Sequence, residues 1–106
     1  MNKLKDLAGS NFSAKKYEEA IKIYTECLET IKSLSNKERS ILYSSRSAAH
    51  LMLENNSRAY YDAKLAIEYR PNWPKGYYRK GMALHAMKNY IKAMKGNFFI
   101  FFFVIT

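Results

Sequence analysis

The sequence predicts an all-α protein. Its 106 residues include only four Gly and two Pro, which are too few turn-forming residues for the many short strands of a β-sandwich or barrel. Apolar residues recur at helical spacing, and the same pattern returns further along the chain. With 48% apolar and 25% charged residues, the composition is that of a folded chain. The length fits one small domain or three short repeats and excludes a two-domain enzyme.

The first clear helical pattern begins at residue 11 with NFSAKKYEEAIKIYTECLE. Apolar residues there are spaced by three and four, as on the buried face of an amphipathic helix. This face comprises Tyr17, Ala20, Ile21, Tyr24, Cys27, Leu28 and Ile31. We therefore expect a helix here, the B helix of a first hairpin.

The same pattern recurs twice. Ala20 is followed by Ala59 after 39 residues and by Ala93 after a further 34. The helices that precede these segments, the A helices, repeat with the same offsets. Their equivalent positions are Leu4, Tyr43 and Tyr77; Ala8, Ser47 and Gly81; and Phe12, Leu51 and His85. The sequence thus predicts three A helices, two B helices and a third B helix that begins near Tyr90.

Small and aromatic residues occupy fixed places in this repeat. Ala8, Ser47 and Gly81 stand where an A helix would cross its B helix, because only short side chains allow two backbones to approach closely. Six tyrosines also fall at repeat-equivalent positions, and we expect most of them to lie in the core. They are Tyr17, Tyr24, Tyr43, Tyr60, Tyr77 and Tyr90.

Start and stop signals agree with this division. Ser35 and Glu38 have the spacing of a capping box at the start of the second A helix. The five extra residues between the first two repeats fall near SLSNK and should lengthen a loop or add a helical turn. The remaining signals are a turn at Asn55 and Asn56, a helix end at Pro71, and a helix start at Asn72 with Pro74.

A helical hairpin repeated about every 34 residues, with these residues at these places, resembles the tetratricopeptide repeat family. The resemblance rests on Tyr17, Ala20, Tyr24, Ala59, Pro71, Gly81, Tyr90 and Ala93. It implies a right-handed superhelical array of antiparallel helix hairpins over residues 1–95. The repeats would span about 1–34, 40–73 and 74–95, the third of them truncated, and a hydrophobic C-terminal tail would occupy 96–106.

Two segments, LYSSRSAAH and WPKGYYRKGMAL, are similar to those of the tetratricopeptide domains of co-chaperones. Those domains bind the acidic C-terminal peptide of cytosolic heat-shock chaperones through a carboxylate clamp of two Lys, two Asn and one Arg. Lys5, Lys75 and Arg79 match its charged members, whereas Gly9 and Ser45 stand where the asparagines would be. The resemblance implies that the three cations bind carboxylates and that Ser45 donates a weaker hydrogen bond.

Helical geometry supports one part of this interpretation. Lys75 and Arg79 are four residues apart, so they share one helix face and can point at the same anion. Gly9, Asn11 and Tyr78 are candidates for lining the same groove. The competing interpretation is that the three cations are simply solvated, which a chain this basic would readily produce.

Other functional classes receive less support. We find no phosphate loop or nucleophile motif, and the adjacent Glu18 and Glu19 diverge on a helix, so we predict no enzyme and no cofactor. His50, His85 and the lone Cys27 do not make a zinc site, and the two histidines are expected in the core or the groove. Nonspecific nucleic-acid binding remains the alternative, because the formal charge is +9.

The C-terminal end departs from the repeat. After Gly96 and Asn97 comes FFIFFFVIT, an uncharged, β-prone stretch that would fold over the third repeat, contact a membrane or partner, or mark a truncated gene product. About nine residues are too short to span a bilayer, so we do not expect a membrane partner. The absence of a signal-like start and the unpaired Cys27 predict a cytoplasmic protein.

Overall fold

The computed structural model describes residues 2–96, with side chains for residues 3–92, and in this range it contains five α-helices and no strand. The helices are α1 (Asn2–Ser13), α2 (Tyr17–Thr30), α3 (Asn36–Met52), α4 (Asn56–Tyr69) and α5 (Pro74–Gly96). This confirms the predicted all-α array of helix hairpins. The hydrophobic segment 98–106 lies outside the described residues, and so do the side chains of Ala93 and Met94.

Neighbouring helices pack in order along the chain. α1 packs on α2 and α3 packs on α4, which makes two hairpins; α2 also packs on α3, and α4 on α5. A further contact joins α3 and α5, the A helices of the second and third repeats. Each helix therefore covers the apolar face of its neighbour, as in a stacked repeat.

Both hairpins turn in the same way. Lys15 and Glu54, which stand 39 residues apart, have φ angles of 62° and 61°, in the left-handed region. After each of them a backbone N–H bonds back into the preceding helix: Lys16 N–H donates to the Asn11 carbonyl at 2.7 Å, and Asn55 N–H to the His50 carbonyl at 2.9 Å. This is the hydrogen bond of a Schellman motif, so the repeat extends to the hairpin turns.

The capping box at α3 is confirmed. The Ser35 hydroxyl accepts a hydrogen bond from Glu38 N–H at 3.1 Å, and the Glu38 carboxylate accepts one from Ser35 N–H at 3.0 Å. These hydrogen bonds lower the pKa of Glu38. Pro74 is the first residue of α5, as predicted, although Trp73 rather than Asn72 immediately precedes the helix. The N-cap residue of α4, Asn55, makes no side-chain cap.

Small side chains dominate the interior. Leu42 is the largest fully buried residue, and most other buried apolar positions are alanines. Ala8, Ala20 and Ala59 are fully buried, and the Ser47 hydroxyl on α3 donates to the Ala59 carbonyl on α4 at 2.7 Å. The predicted crossing points of the first two hairpins are therefore confirmed.

The third repeat differs from the prediction. α5 runs without a break from Pro74 to Gly96, and Lys88, the equivalent of Lys15 and Glu54, is helical rather than in a turn. The prediction of a separate third B helix beginning near Tyr90 was therefore wrong. Residues 82–95 contain no Gly or Pro to end the helix, and Ala, Leu, Met and Lys favour its continuation.

Among the described residues no third B helix packs on α5, and several side chains on one of its faces are exposed. Tyr77 is 50% exposed and Tyr90 is 63% exposed, so these two predicted core tyrosines are not in the core. Apart from its chain neighbours and the nearby backbone of α5, no described residue has an atom within 4 Å of where a Cβ on Gly81 would be, so no B helix crosses α5 there among the described residues. Among the other four tyrosines only Tyr24 is buried; Tyr17, Tyr43 and Tyr60 are half-buried.

Candidate functional site

The first part of the candidate site is a groove along α1. Lys5 and Gly9, one helical turn apart, line it together with Tyr24 of α2, and its volume is about 820 Å³. Lys5 is half-buried, and Asp6 is the acidic residue in the same lining. Apart from its chain neighbours and the nearby backbone of α1, no described residue has an atom within 4 Å of where a Cβ on Gly9 would be, so the groove has room there for a side chain.

Ser45 lies beside the hydroxyl of Tyr24. The tyrosine is buried, which raises the pKa of its hydroxyl, and the neighbouring Ser45 hydroxyl opposes this rise. Tyr24 also lines the groove with Lys5 and Gly9, so it connects three of the predicted site residues, Lys5, Gly9 and Ser45. They come from α1 and α3, the A helices of the first two repeats.

The second part of the candidate site is on α5. Lys75 lies in its first turn, exposed, with its Nζ 5.9 Å from the centre of the Trp73 ring. Arg79 follows one turn later, half-buried, with its Cζ 5.4 Å from the centre of the Tyr78 ring. The Arg79 Nε is buried and has no hydrogen-bond partner among the described atoms. A hydrogen-bond acceptor on a bound ligand would satisfy the Arg79 Nε–H donor.

The two remaining candidates, Asn11 and Tyr78, do not line the α1 groove. The Asn11 side-chain amide donates to the Leu7 carbonyl of its own helix at 3.1 Å, and Asn11 does not line the α1 groove. Tyr78 is 58% exposed and lies against Arg79. The α1 groove does not include Lys75 or Arg79, so the predicted residues form two groups, one around Tyr24 and one on α5.

Electrostatics leaves the three cations available to an anion. Within residues 3–92, the salt bridge is that between Arg46 and Asp62, with His50 close to the same carboxylate, and Lys5, Lys75 and Arg79 take part in none. α5 has no Asp or Glu along its length. The potential beside Lys75 and Arg79 is therefore positive and uncompensated within their own helix.

The sequence interpretation missed a buried polar network. Arg46 of α3 donates from Nε and Nη2 to the two carboxylate oxygens of Asp62 on α4, both at 2.8 Å, and from Nη1 to Thr25 Oγ1 on α2 at 3.1 Å. His50 Nε2 lies 3.7 Å from Asp62 Oδ2. Arg46 therefore has a packing role that joins α2, α3 and α4. The missed signal was Asp62 itself, a carboxylate on the alanine-rich face of α4 that needs a buried cation as partner.

The histidines support no metal site. His50 is in the core, as one interpretation expected, whereas His85 is exposed and lies 3.2 Å from the Asn89 amide. Over the part of the chain that the structure describes, no three His, Cys, Asp or Glu side chains come together as metal ligands would. The same part contains no helix with the length and apolar character needed to cross a bilayer.

Comparison with known proteins gives relatives that cover most of the chain, although no family model matches it. The chain is 39% identical over 91 residues to the protein STIP1 homolog of Dictyostelium discoideum, which is 86% of this chain and 15% of that protein. It is 38% identical over 95 residues to the ER protein translocation subcomplex subunit sec67 of Schizosaccharomyces pombe, at 82% and 50% coverage. It is 36% identical over 93 residues to an Hsp70-Hsp90 organising protein of Plasmodium falciparum, at 88% and 35% coverage. The chain thus spans half or less of the length of these relatives.

Proposed function

Since this chain is a tetratricopeptide-repeat domain of the kind found in co-chaperones, we propose that it binds the acidic C-terminal peptide of a heat-shock chaperone through a partial carboxylate clamp. One relative is named for organising Hsp70 and Hsp90, which supports a chaperone as the partner. The domain acts by binding and catalyses no reaction, and it works in the cytoplasm. Lys5, Ser45, Lys75 and Arg79 contact the peptide.

The observation that carries this proposal is the pair of cations on α5. Lys75 and Arg79 are one turn apart on a helix without acidic residues, and neither has a carboxylate partner among the described residues. A peptide's terminal carboxylate and an acidic side chain together offer four acceptor oxygens. Each hydrogen bond between charged groups contributes about 1.5 to 3 kcal/mol, so a few of them support micromolar binding.

The groove around Tyr24 supplies the other half of the clamp. Lys5 provides a third positive charge there, and Ser45 provides a hydroxyl in place of an amide. The second amide is replaced by Gly9, which has no side chain to donate. Losing two neutral amides costs on the order of 1 kcal/mol each, so we expect an affinity tenfold or more below that of a complete clamp.

A peptide titration tests the proposal. The full chain is titrated with a fluorescent peptide that ends in two acidic residues, once as the free acid and once with an amidated C terminus. We expect saturable binding of the free acid and at least tenfold weaker binding of the amide, because amidation removes the charged oxygens. Equal affinity for the two peptides would contradict the clamp.

Three single variants localise the binding. Lys75→Ala and Arg79→Ala should each abolish measurable binding while the circular dichroism of the helices stays unchanged. Lys22→Ala is the matched control: it removes one positive charge from an exposed position on α2 and should leave the affinity unchanged. If all three variants weaken binding equally, the peptide responds to net charge and not to this site.

Nonspecific nucleic-acid binding is the alternative, favoured by the formal charge of +9. Its affinity would fall steeply with salt in proportion to the number of phosphates contacted. The same titration with a short oligonucleotide between low and high salt distinguishes the two functions. Tight, salt-sensitive binding of the oligonucleotide, together with indifference to peptide amidation, would replace the proposed function with this one.

A further inference from the structure

One face of α5, on which no other helix of residues 2–96 packs as a B helix would, is a second candidate binding surface, separate from the clamp. In the second hairpin, Ser47 and His50 of α3 lie against α4. The residues 34 positions later are Gly81 and Leu84, so this side of α5 is where a third B helix would pack. Instead, Leu84 is 46% exposed.

An apolar stripe continues from there towards the end of the helix. Leu84, Met87 and Ile91 follow at the three- and four-residue spacing of one helix face and line a shallow depression of about 440 Å³. Ile91 is 47% exposed. A second depression of about 410 Å³ joins Met87 and Ile91 to Ser57 at the start of α4. We call Leu84, Met87 and Ile91, together with Lys88 and Lys92 beside them, the α5 stripe.

The flanks of the α5 stripe are basic. Lys88 and Lys92 line the first depression with the apolar residues, and α5 contributes no acid anywhere along its length. Among the described residues that line the two depressions, Glu54 is the one carboxylate, and it lines the second. The stripe therefore combines an apolar centre with a positive edge.

We propose that the α5 stripe binds an amphipathic helix of a partner protein, one with an apolar face bordered by acidic residues. The apolar face would take the place of the missing B helix, with its acidic edge beside Lys88 and Lys92. Helices dock in apolar grooves through residues spaced by three and four, which is the spacing of Leu84, Met87 and Ile91. Charge complementarity selects the acidic helix.

The same charges disfavour two other occupants. A second copy of this chain would bring another α5 without acidic residues against the first, and like charges at close range repel. The chain's own segment 98–106 is apolar and contains no Asp or Glu to pair with the lysines. An acidic amphipathic helix satisfies both the apolar centre and the basic edge.

A charge-swap experiment tests this proposal on the full-length chain. The probe is a synthetic helical peptide with Leu at every third and fourth position and Glu on both flanks. The control peptide has Lys in place of each Glu. We expect the acidic peptide to bind at least tenfold more tightly. In the double variant Lys88→Glu/Lys92→Glu the preference should reverse. Equal binding of both peptides, or a preference that the double variant leaves unchanged, would overturn the proposal.

Substitutions in the apolar centre provide the second test. Ile91→Ser should weaken binding of the acidic peptide at least tenfold, whereas Tyr61→Ser, at another exposed apolar position on α4, should not. Lys75→Ala should also leave this binding unchanged, which separates it from the clamp. If both serine variants bind like the parent, the α5 stripe is not the binding surface.

If a second copy of the chain or the chain's own tail occupied the α5 stripe, other results would be expected. Sedimentation that shows a dimer at micromolar concentration, converted to a monomer by Ile91→Ser, would assign the stripe to a second copy. A gain of tenfold or more in peptide affinity for Phe99→Ser/Phe102→Ser would assign it to the chain's own tail. Either result would overturn the proposal of a partner helix.

Discussion

Arg46 on α3 and Asp62 on α4 form a two-pronged ion pair, with Nε–Oδ2 and Nη2–Oδ1 distances of 2.8 Å, and Asp62 is only 2% exposed. The hydrogen bond from Arg46 to Thr25 adds α2 to the same network. Desolvation offsets much of the attraction in a buried ion pair, so the intact pair contributes little net stability. Loss of one partner strands a buried charge, which makes the pair essential.

Asp62→Ala should lower the free energy of unfolding by about 3 to 5 kcal/mol, because Arg46 would remain largely buried without a carboxylate. Urea denaturation followed by circular dichroism measures the change. Glu68→Ala on the exposed side of α4 is the control and should change stability by less than about 0.5 kcal/mol. Equal effects of the two substitutions would show that the ion pair is not critical.

Stability should fall as the pH decreases from 7.5 towards 5.5, and His50 should cause part of that decrease. Burial lowers the pKa of His50; Asp62 opposes this effect, and Arg46 and Arg58 reinforce it. The unfolded chain, in which a histidine titrates near its ordinary pKa of about 6.5, therefore takes up the proton more readily. The stability contributed by neutral His50 is therefore fully present above about pH 6.5 and is lost progressively as the pH falls below it.

Urea denaturation of the parent, His50→Gln and His85→Gln across this pH range measures the effect. The His50 variant should have the flatter pH profile, and the His85 variant, at an exposed position, should follow the parent. A His50→Gln profile as steep as that of the parent would rule out this histidine as the cause.

Two glycines on α5 should respond oppositely to the same substitution. A Cβ on Gly76 would lie 3.0 Å from Ile67 Cγ1, so Gly76→Leu forces α4 and α5 apart and should destabilise the chain by about 1 to 3 kcal/mol. Gly81 has open space around it, so Gly81→Leu should stabilise the helix by somewhat less than about 1 kcal/mol. Thermal denaturation of both variants measures the difference, and equal shifts would contradict the packing of α5 on α4.

Glu54→Gly should stabilise the second hairpin slightly, by roughly 0.5 kcal/mol. Glu54 has a φ of 61°, which costs an ordinary residue about 1 to 2 kcal/mol, whereas glycine adopts it freely but loses more entropy on folding. The same substitution at Lys88, which is helical, should destabilise the chain by up to about 1 kcal/mol. Chemical denaturation that gave both variants the same sign would contradict the difference between the second and third repeats.

Sequence spacing predicts the first two hairpins because the contacts between neighbouring helices use small residues at fixed intervals. Ala20 and Ala59 are buried at equivalent places for this reason. A turn near Asn55 was predictable from the sequence, but the left-handed conformation of Lys15 and Glu54 was not, since neither residue favours a positive φ. Whether a turn forms depends on a B helix that packs back, and at Lys88 that packing is missing from the described residues.

Sequence spacing likewise predicts one part of the candidate site and not the other. That Lys75 and Arg79 share a face follows from their spacing on one helix, and the structure has them on α5. Their position relative to Lys5 depends on how three repeats stack, which spacing does not determine. The Arg46–Asp62 pair was missed because the two residues come from different helices, although a carboxylate among alanines should have indicated a buried cation.

Restoring the missing amides should strengthen peptide binding if the clamp operates. Gly9 has open space where its Cβ would be, so Gly9→Asn can project an amide into the groove beside Lys5 without displacing a neighbour. We expect about fivefold tighter binding of the acidic-ended peptide, because a neutral hydrogen bond contributes about 1 kcal/mol.

Gly9→Leu is the control. It has a similar volume and also removes the glycine, but it donates no hydrogen bond, so it should not tighten binding. The two variants are compared in the same fluorescence titration, with the amidated peptide run alongside. The gain from asparagine should disappear with the amidated peptide. A gain that leucine reproduces, or that survives amidation, would mean that position 9 acts through helix stability and not through the peptide carboxylate.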